Sequence, residues 1–144
     1  MIAVEATGVV VVVAVLLAAM AFAAFRRRTD GRVRDVAESA ATDFLTADML
    51  GHQLGSRATL VQFSTSFCQP CRATRTILGE VAEMVDGVEH VEVDAESRLD
   101  LVRQLDVMRT PTVFVLDANG AVVKRAVGQP RKADVVAALG VAIS

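Results

Sequence analysis

The sequence predicts an α/β domain built on a mixed central sheet with helices on both faces, a three-layer sandwich, preceded by one N-terminal transmembrane helix. Three observations carry that prediction. No charged residue occurs from Ala6 to Phe25, and arginines follow directly. Beyond about residue 46, short apolar runs alternate with stretches whose apolar residues recur at helical spacing. Finally, Asp117-Ala118-Asn119-Gly120 is a hairpin signal between two apolar runs, so an antiparallel pair joins a chain that otherwise reads strand, helix, strand.

The anchor comes first in the chain. Val9 to Val15, with Leu16, Leu17, Met20, Phe22 and Phe25, is long enough to span about 30 Å of hydrocarbon as a helix. Valines do not forbid a helix there, because in lipid each backbone group must be satisfied within the segment. This stretch concentrates the apolar excess behind the mean hydropathy of +0.44. Ala21-Phe22-Ala23 offers a cleavage pattern, yet no Lys or Arg precedes the apolar run and Glu5 does, so an uncleaved anchor is expected over a signal peptide. Arg26, Arg27, Arg28, Arg32 and Arg34 follow. By the positive-inside rule they put the N-terminus outside and the C-terminal domain on the cytoplasmic side of the cytoplasmic membrane, as a single-pass protein. A cytoplasmic cysteine pair is kept largely reduced and is more often catalytic than structural.

The expected division is a transmembrane anchor over 1–25, a basic flank and linker over 26–45, and the α/β domain over 46–144. The arginines are sufficiently explained as a topology signal touching anionic headgroups. Residues 35–144 carry 10 basic and 15 acidic side chains, a net of −5, which argues against nucleic acid as a partner.

Within the domain, Thr46 is expected to cap a brief helix ending near Gly55, with His52 a surface histidine. Thr59 to Thr65 reads as a buried strand, and Arg72 to Val85 as a helix with Ile77, Leu78, Val81 and Val85 inward. Val88 to Asp94 alternates, Val91 and Val93 on one face, His90, Glu92 and Asp94 on the other. Ser97 is expected to cap a helix to about Asp106 with Leu99, Val102 and Leu105 as its apolar face. Val113 to Leu116 is a continuous apolar strand, Ala121 to Val127 returns antiparallel, and Arg131 to Val141 closes the domain as a helix with Val135, Val136 and Leu139 inward.

Both cysteines lie in Phe67-Cys68-Gln69-Pro70-Cys71, where strand hands over to helix. The first amides of a helix lack intrahelical partners and carry the positive end of the macrodipole, so a thiolate at Cys68 is stabilised and its pKa is expected below the roughly 8.5 of a free thiol. Pro70 is suited to the first turn, where its missing N–H costs nothing. Cys71, one turn on, is near enough to attack a mixed disulfide formed by Cys68, so the pair can cycle between dithiol and disulfide. A zinc site competes poorly, since no second C-x-x-C exists and His52 and His90 lack the usual spacing. A purely structural disulfide would close a very small loop and constrain the unfolded chain little. No metal and no cofactor beyond the cysteine pair is expected.

From Thr46 to Ile143 the chain resembles the thioredoxin family: the apolar strand into Phe67-Cys68-Gln69-Pro70-Cys71, then Thr110-Pro111-Thr112, the Asn119-Gly120 hairpin, and Val127-Gly128 before the last helix. The resemblance implies a thioredoxin-like fold, Cys68 as the attacking and Cys71 as the resolving cysteine, and Pro111 as a cis-proline. A cis bond there would expose the Thr110 backbone to an incoming substrate segment. Phe67 and Gln69 stand where family members often have Trp and Gly. Gln62 occupies the position, six before the attacking cysteine, where many thioredoxins bury an Asp, and the Lys that partners that Asp aligns with His90. Gln62 and His90 are therefore expected as a neutral pair under the active site, His90 structural rather than a proton carrier.

The nearest likeness is to small membrane-tethered thioredoxins of high-GC, actinobacterial-type bacteria, with which 13 Arg against 2 Lys is compatible. The expected function is a membrane-anchored thiol-disulfide oxidoreductase, held by residues 6–25, that reduces protein disulfides and is recharged by a thiol donor such as thioredoxin reductase. Two alternatives stand beside it. One is an extracytoplasmic reductase, isomerase or cytochrome-maturation protein. The other is a non-enzymatic docking or Cu(I)-holding module.

Overall fold

The computed structural model describes residues 2–35 and 44–144, so residues 36–43 of the expected flank and linker lie outside the described residues. The chain divides into two compact units, Met1–Asp30 and Gly31–Ser144.

The first unit is one helix, α1 (Ile2–Thr29), with Arg26, Arg27 and Arg28 in its last turn, where cations complement the macrodipole. Over Ala6–Thr29 it is long and apolar enough to cross a membrane, a property that signal sequences share. Val9 to Val13, Leu16, Leu17, Met20, Phe22 and Phe25 are all exposed.

The second unit is a five-stranded sheet in the order β1-β5-β4-β2-β3. Its elements are β1 (Val33–Asp35), α2 (Ala47–Leu50), β2 (Ala58–Ser64), α3 (Gln69–Met84), β3 (Val88–Asp94), α4 (Leu99–Gln104), β4 (Thr112–Asp117), β5 (Val122–Val127) and α5 (Lys132–Ala142). The β2–α3–β3 unit pairs its strands in parallel, while β4 lies antiparallel to both β2 and β5. The mixed α/β sandwich expected from the sequence is the fold observed.

Strand alternation sorts side chains to two cores. Leu60, Val88, Val113 and Val115 meet Leu78 and Val81 of α3 and Val135, Ala138 and Leu139 of α5. On the other face Val61, Phe63, Val91, Val93 and Phe114 meet Leu45, Leu50, Leu101 and Leu105. The rings of Phe63 and Phe114 cross edge to face at 5.7 Å. At the hairpin, Gly120 takes φ +86°, and Asp117 Oδ1 accepts from the amides of Asn119 and Ala121.

Several local expectations are corrected. Part of the stretch expected to be a tether supplies β1, antiparallel to β5; three residues are too few to display a period of two. Thr46 caps α2 as expected, accepting from the Met49 amide, but the helix stops at Gly51 in the left-handed region, before Gly55. Ser97 does not cap α4, because its hydroxyl donates to Asp94 Oδ2 instead. Leu101 rather than Leu99 is buried in that helix, and Val136 of α5 is exposed while Ala138 is buried. Leu105, Val135 and Leu139 are buried as expected, so in each helix the departure is one residue at the margin of the apolar face.

Candidate active site

The end of β2 and the start of α3 build the site. Seven successive buried residues, Ala58 to Ser64, hold β2 inside the sheet, between β3 and β4, so the chain leaves the sheet at a fixed point. Cys68 is the N-cap of α3, with extended φ and ψ, and its Sγ accepts from the Cys71 amide at 3.2 Å. The helix begins at Gln69 rather than Arg72, which puts Gln69 and Pro70 in the first turn and makes the capping atom a sulfur. Cys68 and Cys71 are joined as a disulfide. The two sulfurs differ in access: Cys71 is 1% exposed, Cys68 half-buried, and Phe67 beside it fully exposed.

Thr110-Pro111 is a cis peptide. Pro111 is buried, its carbonyl accepts from the Gly128 amide at 2.8 Å, and Gly128 takes φ +90°. Thr110 is tied to the cysteine loop by a hydroxyl–hydroxyl bond of 3.1 Å to Thr65. Phe67 and Cys68 with the first turn of α3 (Gln69, Pro70) on one side, and Thr110 and Pro111 on the other, are thus joined through Thr65.

Beneath them, Gln62 is fully buried on the α3 face of the sheet. Its Nε2 donates to the Cys71 carbonyl at 2.8 Å and to Ser64 Oγ at 2.9 Å, and its Oε1 lies 3.1 Å from His90 Nε2. The expected Gln62–His90 pair is present. Burial, above all, holds the His90 pKa below the ordinary imidazole value, and Arg75 adds to that while Glu92 opposes it. His52 is exposed beyond α2, away from this set of contacts.

Three residues that sequence reading did not single out complete the surroundings. Gln62 pairs with Glu92 in the parallel register of β2 and β3. Glu92 takes a two-pronged bond from Arg75 of α3, which is the main reason its carboxyl titrates below the usual range; a hydrogen bond from Ser64 adds to the effect. Ser64, Arg75 and Glu92 line a cleft of about 360 Å³ with Thr65, Ser66 and Asp94. For Ser64 and Glu92 the signal in the sequence is polar residues recurring at period two on both strands, at 62 and 64 and at 90, 92 and 94; Arg75, on α3, has no such signal.

A half-exposed sulfur at a helix N-terminus, a buried second sulfur one turn along and a proline loop alongside form the apparatus of a thiol-disulfide oxidoreductase. The thioredoxin family model matches residues 42–140. The chain is 35% identical over 94 residues to thioredoxin of Mycolicibacterium smegmatis, covering 63% of this chain and 80% of that one. It is 32% identical over 69 residues to thioredoxin H2 of Arabidopsis thaliana, covering 48% and 51%. Among solved structures, spinach chloroplast thioredoxin f superposes with TM-score 0.55 at 24% identity, covering 62% of this chain and 80% of that one. A mutant thioredoxin of Halobacterium salinarum gives 0.57 at 18% identity, covering 62% and 77%; likenesses of this kind support the fold. The chain belongs to the thioredoxin family.

Proposed function

We propose that this protein is a membrane-anchored protein-disulfide reductase. Cys68 Sγ attacks a substrate disulfide, breaking its S–S bond; one substrate sulfur leaves as thiolate and the other is held on Cys68. Cys71 then attacks Cys68, the second substrate sulfur leaves, and the enzyme is left as the Cys68–Cys71 disulfide, having given two electrons. The observation that carries this reading is the Cys71 amide directed at Cys68 Sγ, which stabilises the same atom as an attacking thiolate and as the leaving group when the enzyme is recharged.

Phe67, Gln69, Thr110 and Pro111 form the surface that receives the substrate segment, and Gln62 and His90 support it from below. Residues 6–25 anchor the domain, with the arginines that follow on the cytoplasmic side. Reducing equivalents come from a thiol donor such as thioredoxin reductase. The domain is acidic, which does not suit a nucleic-acid partner, and the chemistry needs no cofactor beyond its own dithiol.

The reduction potential of the full chain in detergent, read by thiol trapping across a dithiothreitol or glutathione series, tests the redox direction. A value at or below about −250 mV is expected for a cytoplasmic reductant; thioredoxin itself lies near −270 mV. A value above about −200 mV would assign an oxidant or isomerase instead. Protease accessibility of the C-terminus in sealed cells tests orientation: resistance is expected, and digestion would put the domain outside.

A further inference from the structure

A circuit of polar groups links the start of α3 to the ends of two strands. From α3 the Cys71 carbonyl meets Gln62 Nε2, and Gln62 Nε2 meets Ser64 Oγ, both on β2. Ser64 shares a cleft with Glu92 of β3 and helps hold its carboxyl below the usual range, and Glu92 bonds back to α3 through Arg75, one turn beyond Cys71. His90 is attached to the circuit at Gln62 Oε1.

The direction of each bond is fixed by chemistry. A carbonyl only accepts, so the NH₂ end of the Gln62 amide must face Cys71, and Oε1 must face His90. His90 Nε2 therefore carries a hydrogen. When His90 takes up a second proton it does so at Nδ1, and the Nε2–H bond to Gln62 is unchanged. An amide has no site to pass a proton on at neutral pH, so Gln62 holds and does not relay.

We propose that Gln62, latched by His90 and braced by Ser64, Glu92 and Arg75, is a positioning device for the resolving step, holding the Cys71 main chain in place while Cys71 attacks Cys68. This rests on the reading of Cys68 as attacker and Cys71 as resolver. The Cys71 proton passes to water, and none passes through the pair. The charged groups acting on His90 are Glu92 on its own strand and Arg75 from α3; β2 places only the uncharged Ala58, Leu60, Gln62 and Ser64 on that face. Burial favours the neutral form of His90.

The test follows the reduced full chain in detergent reacting with one equivalent of a symmetrical aromatic disulfide that releases a coloured thiolate at each step. The first release is bimolecular and reports attack by Cys68. The second is first-order and reports attack by Cys71 on the mixed disulfide. His90→Ala and Glu92→Ala are expected to slow the second release roughly fivefold to tenfold relative to the first, the scale of one lost hydrogen bond. His90→Asn, which keeps an N–H donor, restores much of the loss. The second-phase pH profile of His90→Ala keeps its shape between about pH 5 and 8, the range in which histidine titrates.

An unchanged ratio of the two phases, or equal slowing of both, would overturn the positioning role. A change of profile shape in that range would make His90 a proton carrier instead. Absence of the first release from the unsubstituted protein would instead refute the assignment of Cys68 as nucleophile, so the two failures are distinguishable. His90 and Glu92 are only part-buried, so these variants are expected to disturb folding less than a substitution at the fully buried Gln62.

Discussion

Cys68 and Cys71 are the same residue type three positions apart, and the fold gives them different surroundings. Cys68 closes the N-terminus of α3 and reaches solvent beside an exposed Phe67; Cys71 is buried above Gln62. Reactivity therefore belongs to position on the helix rather than to the C-x-x-C motif as such. The largest expected effect separates the pair. Cys68→Ser lowers disulfide reduction at least about 10³-fold, the scale of removing a nucleophile. Cys71→Ser leaves the first attack and accumulates substrate as a mixed disulfide. Trapping on nonreducing gels checks both, and accumulation on Cys68→Ser rather than Cys71→Ser would reverse the roles.

Next in size is the floor beneath Cys71. Gln62→Leu leaves the Cys71 carbonyl, Ser64 hydroxyl and His90 N–H without that partner in a buried setting, an expected loss of about 2–4 kcal/mol in chemical denaturation. A loss under about 0.5 kcal/mol would mean that the site relaxes freely and that Cys71 is not held as described.

Much of this contrast was legible in the sequence. Placing Cys68 at a strand-to-helix junction needed only the apolar run before it, Pro70 after it and the helical spacing beyond. Thr46 as a cap and the Asn119-Gly120 turn were legible because side-chain and backbone preferences act there without help from distant residues. The Gln62–His90 pair needed the family resemblance, because 28 residues separate them and only strand register brings them together. Glu92 and Arg75 were not singled out because their meeting depends on α3 lying over β3, which no local spacing encodes. For α4 and α5, inward faces were misassigned at Leu99 and Val136, where propensity is weak over so few turns and tertiary packing decides.

A smaller effect concerns pH. The folded state holds His90 below its ordinary pKa, so the unfolded chain binds the proton more readily. This contribution is fully present above the unfolded value of about 6.5 and is lost as pH falls through the folded value. Stability is therefore expected to decline below about pH 6.5, and His90→Asn to flatten that part of the curve. Denaturation midpoints between about pH 5 and 8 check it, and identical slopes in both proteins would mean that His90 titrates as freely as in the unfolded chain.

The smallest expected effect lies at the edge of the same network, in the Arg75–Glu92 pair, whose side chains are 53% and 29% exposed. Exposure of that order screens an ion pair, so a double-mutant cycle with Arg75→Ala and Glu92→Ala should give a coupling of only about 0–1 kcal/mol at pH 7. It should fall further in about 1 M salt, where the Debye length is about 3 Å. Glu92 titrates below its unfolded value, so its contribution is present above about pH 4.3 and disappears as pH falls through the folded pKa. A coupling above about 2 kcal/mol that survives salt would place the pair among buried interactions. The expected combination, weak coupling in stability with a several-fold change in the resolving step, would separate holding Cys71 in place from holding the domain together.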